Sequence, residues 1–239
     1  MRLITAITAI AIAAGAATAD TVKLRFNSVG QGRNVNMTIG SSSFNCFAGQ
    51  LNHTFSNGNG VAAGLTGNKI TFCSDLTQGV STLVGSTYTV TGIQNLPVTS
   101  GYGPMGSAKK QAIYDMYAAA GGTQMGSDAD MAAAFQIAIW EVIYDYNGSS
   151  GSLNLASGQL KAKNTNGSSL TSAIASKAAQ LFSAIGANVA QAGLMGFSNG
   201  SFQDQILQTV QLVPVPTAAF AGLTGLGGLM LVRRRMHSR

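Results

Sequence analysis

The sequence predicts an α+β fold: a β-sandwich or barrel-like domain carrying an inserted helical subdomain of about three helices. Three observations predict it. Residues 20–93 and 195–212 hold short segments that alternate apolar and polar at period two, the mark of half-buried strands. Between them lie three runs with helical periodicity. The composition, 46% hydrophobic and only 9% charged with 30 glycines, suits an exported β-rich domain better than a cytosolic enzyme.

In chain order, Thr21–Phe26 and Asn34–Ile39 alternate and read as two strands, and Ser43–Phe55 continues in strands up to the turn-forming Ser56–Gly60. Lys69–Cys73 and Ser86–Ile93 are further strands. After the loop Pro97–Gly106, Ser107–Ala120 reads as a helix closed by Gly121 and Gly122. The second helix runs from about Ser127 to Tyr144, with Ser127 as its N-cap and Asp128 and Asp130 in the first turn. A Gly/Ser/Asn loop, Asn147–Gly158, leads to a third helix, Ser168–Ile185, with Leu170, Ile174, Ala178, Leu181 and Ile185 on one stripe. Met195–Phe197 and Gln205–Leu212 return to strand.

The two ends carry targeting patterns, so the organisation reads as a signal peptide at 1–19, a domain at 20–212 and a sorting segment at 213–239. Arg2 precedes an apolar run, Leu3–Ala14, and Ala17-Thr18-Ala19 has the small-x-small form of a cleavage site. A first transmembrane helix is the alternative reading of that stretch. At the other end Val213-Pro214-Val215-Pro216 stops any preceding strand, residues 217–232 carry no charge, and Arg233, Arg234 and Arg235 follow. Sixteen apolar residues fall a little short of the roughly 20 that span a bilayer, and the arginines would hold the tail in the cytoplasm.

Prolines, a Gly-rich apolar helix and terminal arginines, in that order, resemble the PEP-CTERM sorting signal read by an exosortase. Val215 stands where that motif carries Glu. The resemblance implies export, transient anchoring in the inner membrane by the C-terminal helix, cutting near the prolines, and transfer to the cell envelope or extracellular matrix. A permanent C-terminal anchor is the alternative.

Charge and inventory exclude several chemistries. The formal charge is +6, but nine of the 14 basic residues and all eight acidic ones lie between Asp20 and Val213, leaving that span near +1. A nucleic-acid surface is therefore not expected. With two cysteines and one histidine in 20–212, a four-ligand zinc site is not expected either, and no cofactor is implied. Asp128 and Asp130 read as helix-start residues, and Glu141 with Asp145 as a solvated helix face.

From Met131 to Tyr144 the second helix is apolar all round except at Gln136 and Glu141, which places Gln136 in the interior. A buried carboxamide needs partners or costs roughly 1–3 kcal/mol. Ala132 and Ala133, one turn earlier, leave room for a strand to approach it. The cysteines admit three readings. Cys46 and Cys73 could form a disulfide, as an exported pair first suggests. Cys73 could act with His53 in a cysteine hydrolase. The third joins Cys73 to Gln136.

The aromatic-Cys pair Phe72-Cys73 on a strand, followed by a helix reading Phe135-Gln136-Ile137-Ala138-Ile139-Trp140, resembles the thioester domain of Gram-positive surface adhesins. The match rests on Phe72, Cys73, Gln136, Ala138, Ile139 and Trp140, and Phe135 stands where a smaller residue is common. The resemblance implies an internal thioester between Cys73 and Gln136, shielded by Phe72, Ala138, Ile139 and Trp140. It also implies covalent capture of an amine-bearing surface or matrix partner, in a single event rather than by enzymatic turnover. The competing expectation is an inert structural surface protein with a Cys46–Cys73 disulfide or free thiols.

Overall fold

The two strands read at Thr21–Phe26 and Asn34–Ile39 are one strand, carried by bulges through a middle where the alternation falters. The computed structural model describes residues 19–82, 84–98, 101–190 and 193–208. The sorting segment and the signal peptide with Ala17 lie outside the described residues; Ala19 is described and exposed. The chain divides at 209/210, and everything described belongs to the first unit. No helix among the described residues is long and apolar enough to cross a membrane.

Strand β1 (Thr21–Ile39) runs antiparallel to β2 (Ser42–Ser56) along its whole length, from Lys23↔Ser56 to Ile39↔Ser42. Two register shifts interrupt the pair, between Phe26 and Ser28 and between Val29 and Gly32. Such bulges bend the hairpin, so one strand serves two parts of the sheet. Its first residues pair with β4 (Ser86–Thr91) and its last with β5 (Leu160–Asn164). At the second shift Gly32 faces Gly49, and a Cβ on either would meet the backbone of the opposite strand. Only glycine fits there.

β3 (Gly67–Cys73) pairs with β2 on one side and with β7 (Gln205–Gln208) on the other, and β7 pairs with β6 (Leu194–Ser198). The order is β2-β3-β7-β6-β4-β1-β5 with β1 also bonded to β2. Six antiparallel strands thus close a ring, and β5 hangs on its outside. Val22, Leu24, Phe55, Tyr88, Phe197 and Leu207 fill a small apolar core within the ring, where Phe55 and Phe197 meet edge to face at 5.2 Å.

Among the described residues the α-helices are α1 (Gly106–Ala119), α2 (Ala129–Asp145) and α3 (Ser172–Ser183). The fold is α+β, mostly antiparallel sheet with three helices inserted between β4 and β6. Three details depart from the sequence reading. α3 starts at Ser172 behind its N-cap Thr171, not at Ser168, so Leu170 precedes the helix. The N-cap of α2 is Asp128, not Ser127: its carboxylate accepts from the N–H groups of Asp130 and Met131, and Lys177 of α3 binds it at 2.7 Å. β5 lies between the loop Asn147–Gly158 and the third helix, in a stretch to which the sequence assigns no element.

α2 explains its own composition. It packs against β1, β2, β5, α1 and α3 at once, so every residue from Ala132 to Tyr144 is buried. A helix with neighbours on all sides has no face to leave polar.

Candidate functional site

β2 stops pairing with β3 at Leu51↔Thr71, two residues before β3 ends. Ser74 N–H turns to the β7 side, where Asp204 O accepts it at 2.9 Å. The N–H and C=O of Cys73 are left facing the gap that β2 has vacated. The Gln136 carboxamide fills it. Cys73 N–H donates to Gln136 Oε1 at 2.8 Å, and Gln136 Nε2 donates to Cys73 O at 2.7 Å, across 63 residues of sequence. Both residues are buried, and one side chain stands in for a rung of the ladder. Ala132 and Ala133, fully buried on the preceding turn, permit the approach.

The Cys73 thiol donates to Asp75 O at 2.8 Å and accepts from Asp75 N–H at 3.2 Å. Burial pushes its pKa well above the usual thiol range. The indole N–H of Trp140, one turn beyond Gln136, faces this sulfur closely enough to ease charge on it but forms no hydrogen bond with the thiol. Cys73, Gln136 and Trp140 border one partly open cavity of about 330 Å³, whose lining includes Phe44, Phe47 and Leu76. Cys46 lines the same cavity, half-buried, its thiol pushed up to about 12 by burial, and both cysteines are free thiols.

Chemically, the arrangement polarises the amide. The Cys73 N–H lies on Oε1, where negative charge would grow if a nucleophile added to Cδ, and the Cys73 carbonyl holds the nitrogen that would leave as ammonia. The sulfur belongs to the same residue, which lines the same cavity.

Of the residues expected to shield the bond, Trp140 alone borders this cavity. Phe72 points the other way, edge to face with Phe135 at 5.0 Å, and Ala138 and Ile139 are fully buried elsewhere in the core. His53 is not joined to Cys73. Its Nδ1 lies 2.9 Å from Thr71 Oγ1, whose proton goes to Gln205 Oε1, and burial lowers its pKa to about 4.

Glu141, expected at a solvated face, is fully buried. Its Oε1 accepts from Asn154 N–H at 2.7 Å while Oε2 has no partner. Asp145 accepts from the N–H groups of Gln159 and Leu160 at 2.8 Å each. Together they fasten the loop after α2. Burial pushes the Glu141 carboxyl from 4.5 up to about 7. Across that window the unfolded chain releases this proton and the folded chain keeps it, so the group withdraws stability as pH rises, and the full penalty, about 3 kcal/mol, is present above the window. Glu141→Gln is therefore expected to stabilise the protein by about 2 kcal/mol near pH 8 and hardly at all near pH 4, measured by urea unfolding. Equal effects at both pH values would contradict this ionisation.

Compared with family models, curated proteins and solved structures, the chain matches none of them.

Proposed function

We propose that this is an exported protein of the bacterial envelope or extracellular matrix whose domain forms a Cys73–Gln136 thioester and uses it once, to attach covalently to an amine on a surface or matrix partner. The observation that carries the reading is the pair of hydrogen bonds from Gln136 to the backbone of Cys73, which brings the two reacting residues of the resemblance together inside the fold. The cavity supports it, since an amine needs a way to the acyl carbon and bulk water must be kept from it.

Register weighs against the disulfide. Continuing the β2–β3 pairing from Leu51↔Thr71 sets Gly49 opposite Cys73, and Cys46 lies three residues further, roughly 10 Å along the strand. Disulfides need Cα atoms within about 7 Å, so that bond would require the strand to move. A second reading has its own support. The amide and the thiol are both satisfied by backbone partners, as they would be in a passive structural clamp.

Methylamine separates the two. Under the thioester reading, brief treatment of the purified protein adds methylamine to Gln136 and leaves Cys73 alkylatable after denaturation, as read by peptide mapping. Unmodified Gln136 with Cys73 already a free thiol before treatment supports the clamp.

The sorting part of the proposal rests on Pro214, Pro216 and Arg233–Arg235, which lie outside the described residues. It assigns an exosortase-type machinery and the inner membrane as transient partners. Neutral residues at the three arginines are expected to reduce the yield of processed protein at least severalfold; unchanged processing would remove this part of the reading.

A further inference from the structure

Gln136, Trp140 and Tyr144 are spaced four apart on α2, so their tips line one stripe of the helix. Gln136 is paired with Cys73, whereas Trp140 Nε1 is buried and has no hydrogen-bond partner among the described residues. An orphaned buried donor costs roughly 1–3 kcal/mol, and native structures rarely retain one without a use. Trp140 borders the cavity that holds the Cys73 sulfur. In the thiol state that sulfur gives its proton to Asp75 O and takes one long bond from Asp75 N–H, so it offers the indole little charge to bind. The surroundings oppose charge there, because the site is buried and the Asp75 carboxylate is near.

We propose that the Trp140 indole N–H is the donor that binds the Cys73 sulfur when it carries negative charge, both as the thioester forms and as an amine opens it. This inference rests on the thioester reading above. In formation, the Cys73 Sγ–Gln136 Cδ bond is made, the Cδ–Nε2 bond breaks, and the thiol proton leaves with Nε2 as ammonia. In opening, an amine nitrogen bonds to Cδ, the Sγ–Cδ bond breaks, and the sulfur takes a proton from the amine. No oxidant or reductant enters either step. In both, sulfur passes through a thiolate-like state, as nucleophile first and as leaving group later, and a donor fixed in advance stabilises that state without reorganisation. Trp140 is then a catalytic group and not only a cover.

The chain has a single tryptophan, so Trp140 can be exchanged for benzothienylalanine, which keeps the ring's shape and replaces N–H by sulfur, by growing cells on the analogue. Opening of the thioester by methylamine is expected to slow about tenfold or more in this protein and in Trp140→Phe, which would correspond to a donor worth about 1.4 kcal/mol. A second arm does not need the thioester. In a Gln136→Glu background, the rate of Cys73 alkylation by iodoacetamide is compared with that of Cys46, which lines the same cavity and reports access. A selective drop of about tenfold at Cys73 on loss of the N–H supports the proposal. Unchanged rates, or equal changes at both cysteines, overturn it and leave Trp140 as bulk. If the native protein carries no thioester, the attachment reading fails, and this second arm still decides the role of the N–H.

Discussion

Gln136→Ala is expected to lower the stability of the domain by about 3–6 kcal/mol, a large share of the 5–15 kcal/mol that holds a typical domain together. The substitution removes two short hydrogen bonds and leaves the N–H and C=O of Cys73 facing a cavity in the core. Each orphaned group costs roughly 1–3 kcal/mol, and the deleted methylenes add to that. Water cannot easily substitute, since both residues are buried. Gln136→Glu is the informative companion. A protonated carboxyl keeps one acceptor and one donor, so this variant should recover much of the loss in acid and lose it again as the group ionises. Urea unfolding at several pH values measures both. An effect of Gln136→Ala below about 1 kcal/mol would mean that β3 closes up without the amide.

Cys73→Ala is expected to abolish amine uptake completely, since without the sulfur there is no acyl transfer to intercept. Its structural effect should be far smaller than that of Gln136→Ala. The amide binds the backbone of residue 73, which alanine retains, and only the thiol's bonds to Asp75 are lost. The two variants therefore share one chemical defect and differ in stability. Isotope-labelled methylamine, counted by mass spectrometry, reads the first, and urea unfolding reads the second. Label entering Cys73→Ala at Gln136 would show that the amine arrives by a route other than a thioester.

Much of this arrangement is legible in the residues. A helix apolar on nearly every side has to be surrounded, and α2 is surrounded; the strand–helix–strand order follows from the change of period along the chain. What could be read less well depends on the register and on the loops. Bulges let β1 run through residues 27–33, where alternation falters, and no local pattern says that its two halves serve different neighbours. β5 is five residues long and becomes a strand only because the free side of β1 is there to receive it.

The acids were misleading for a similar reason. Glu141 four residues before Asp145 resembles a solvated stripe, yet both accept backbone N–H groups of a loop that comes later in the chain. Asp115 does the same for Gly186 and Val189, and Asp204 accepts the N–H groups of Val98 and Asn199, which come before it. In a chain with eight acids such uses dominate, and spacing alone does not reveal them. Gln136 was conspicuous because its neighbours left it no other explanation. That it would bind the backbone of Cys73, two residues past the last β2 rung, could be known only from the fold.

The intact mass of the freshly purified, processed protein, held near neutral pH, tests the central claim most directly. A thioester between Cys73 and Gln136 makes the protein lighter than its sequence by one ammonia, and methylamine then restores the mass of one methylamine in place of the ammonia lost. A protein of full sequence mass that methylamine leaves unchanged would contradict the thioester and leave Gln136 as the clamp that closes the end of β3.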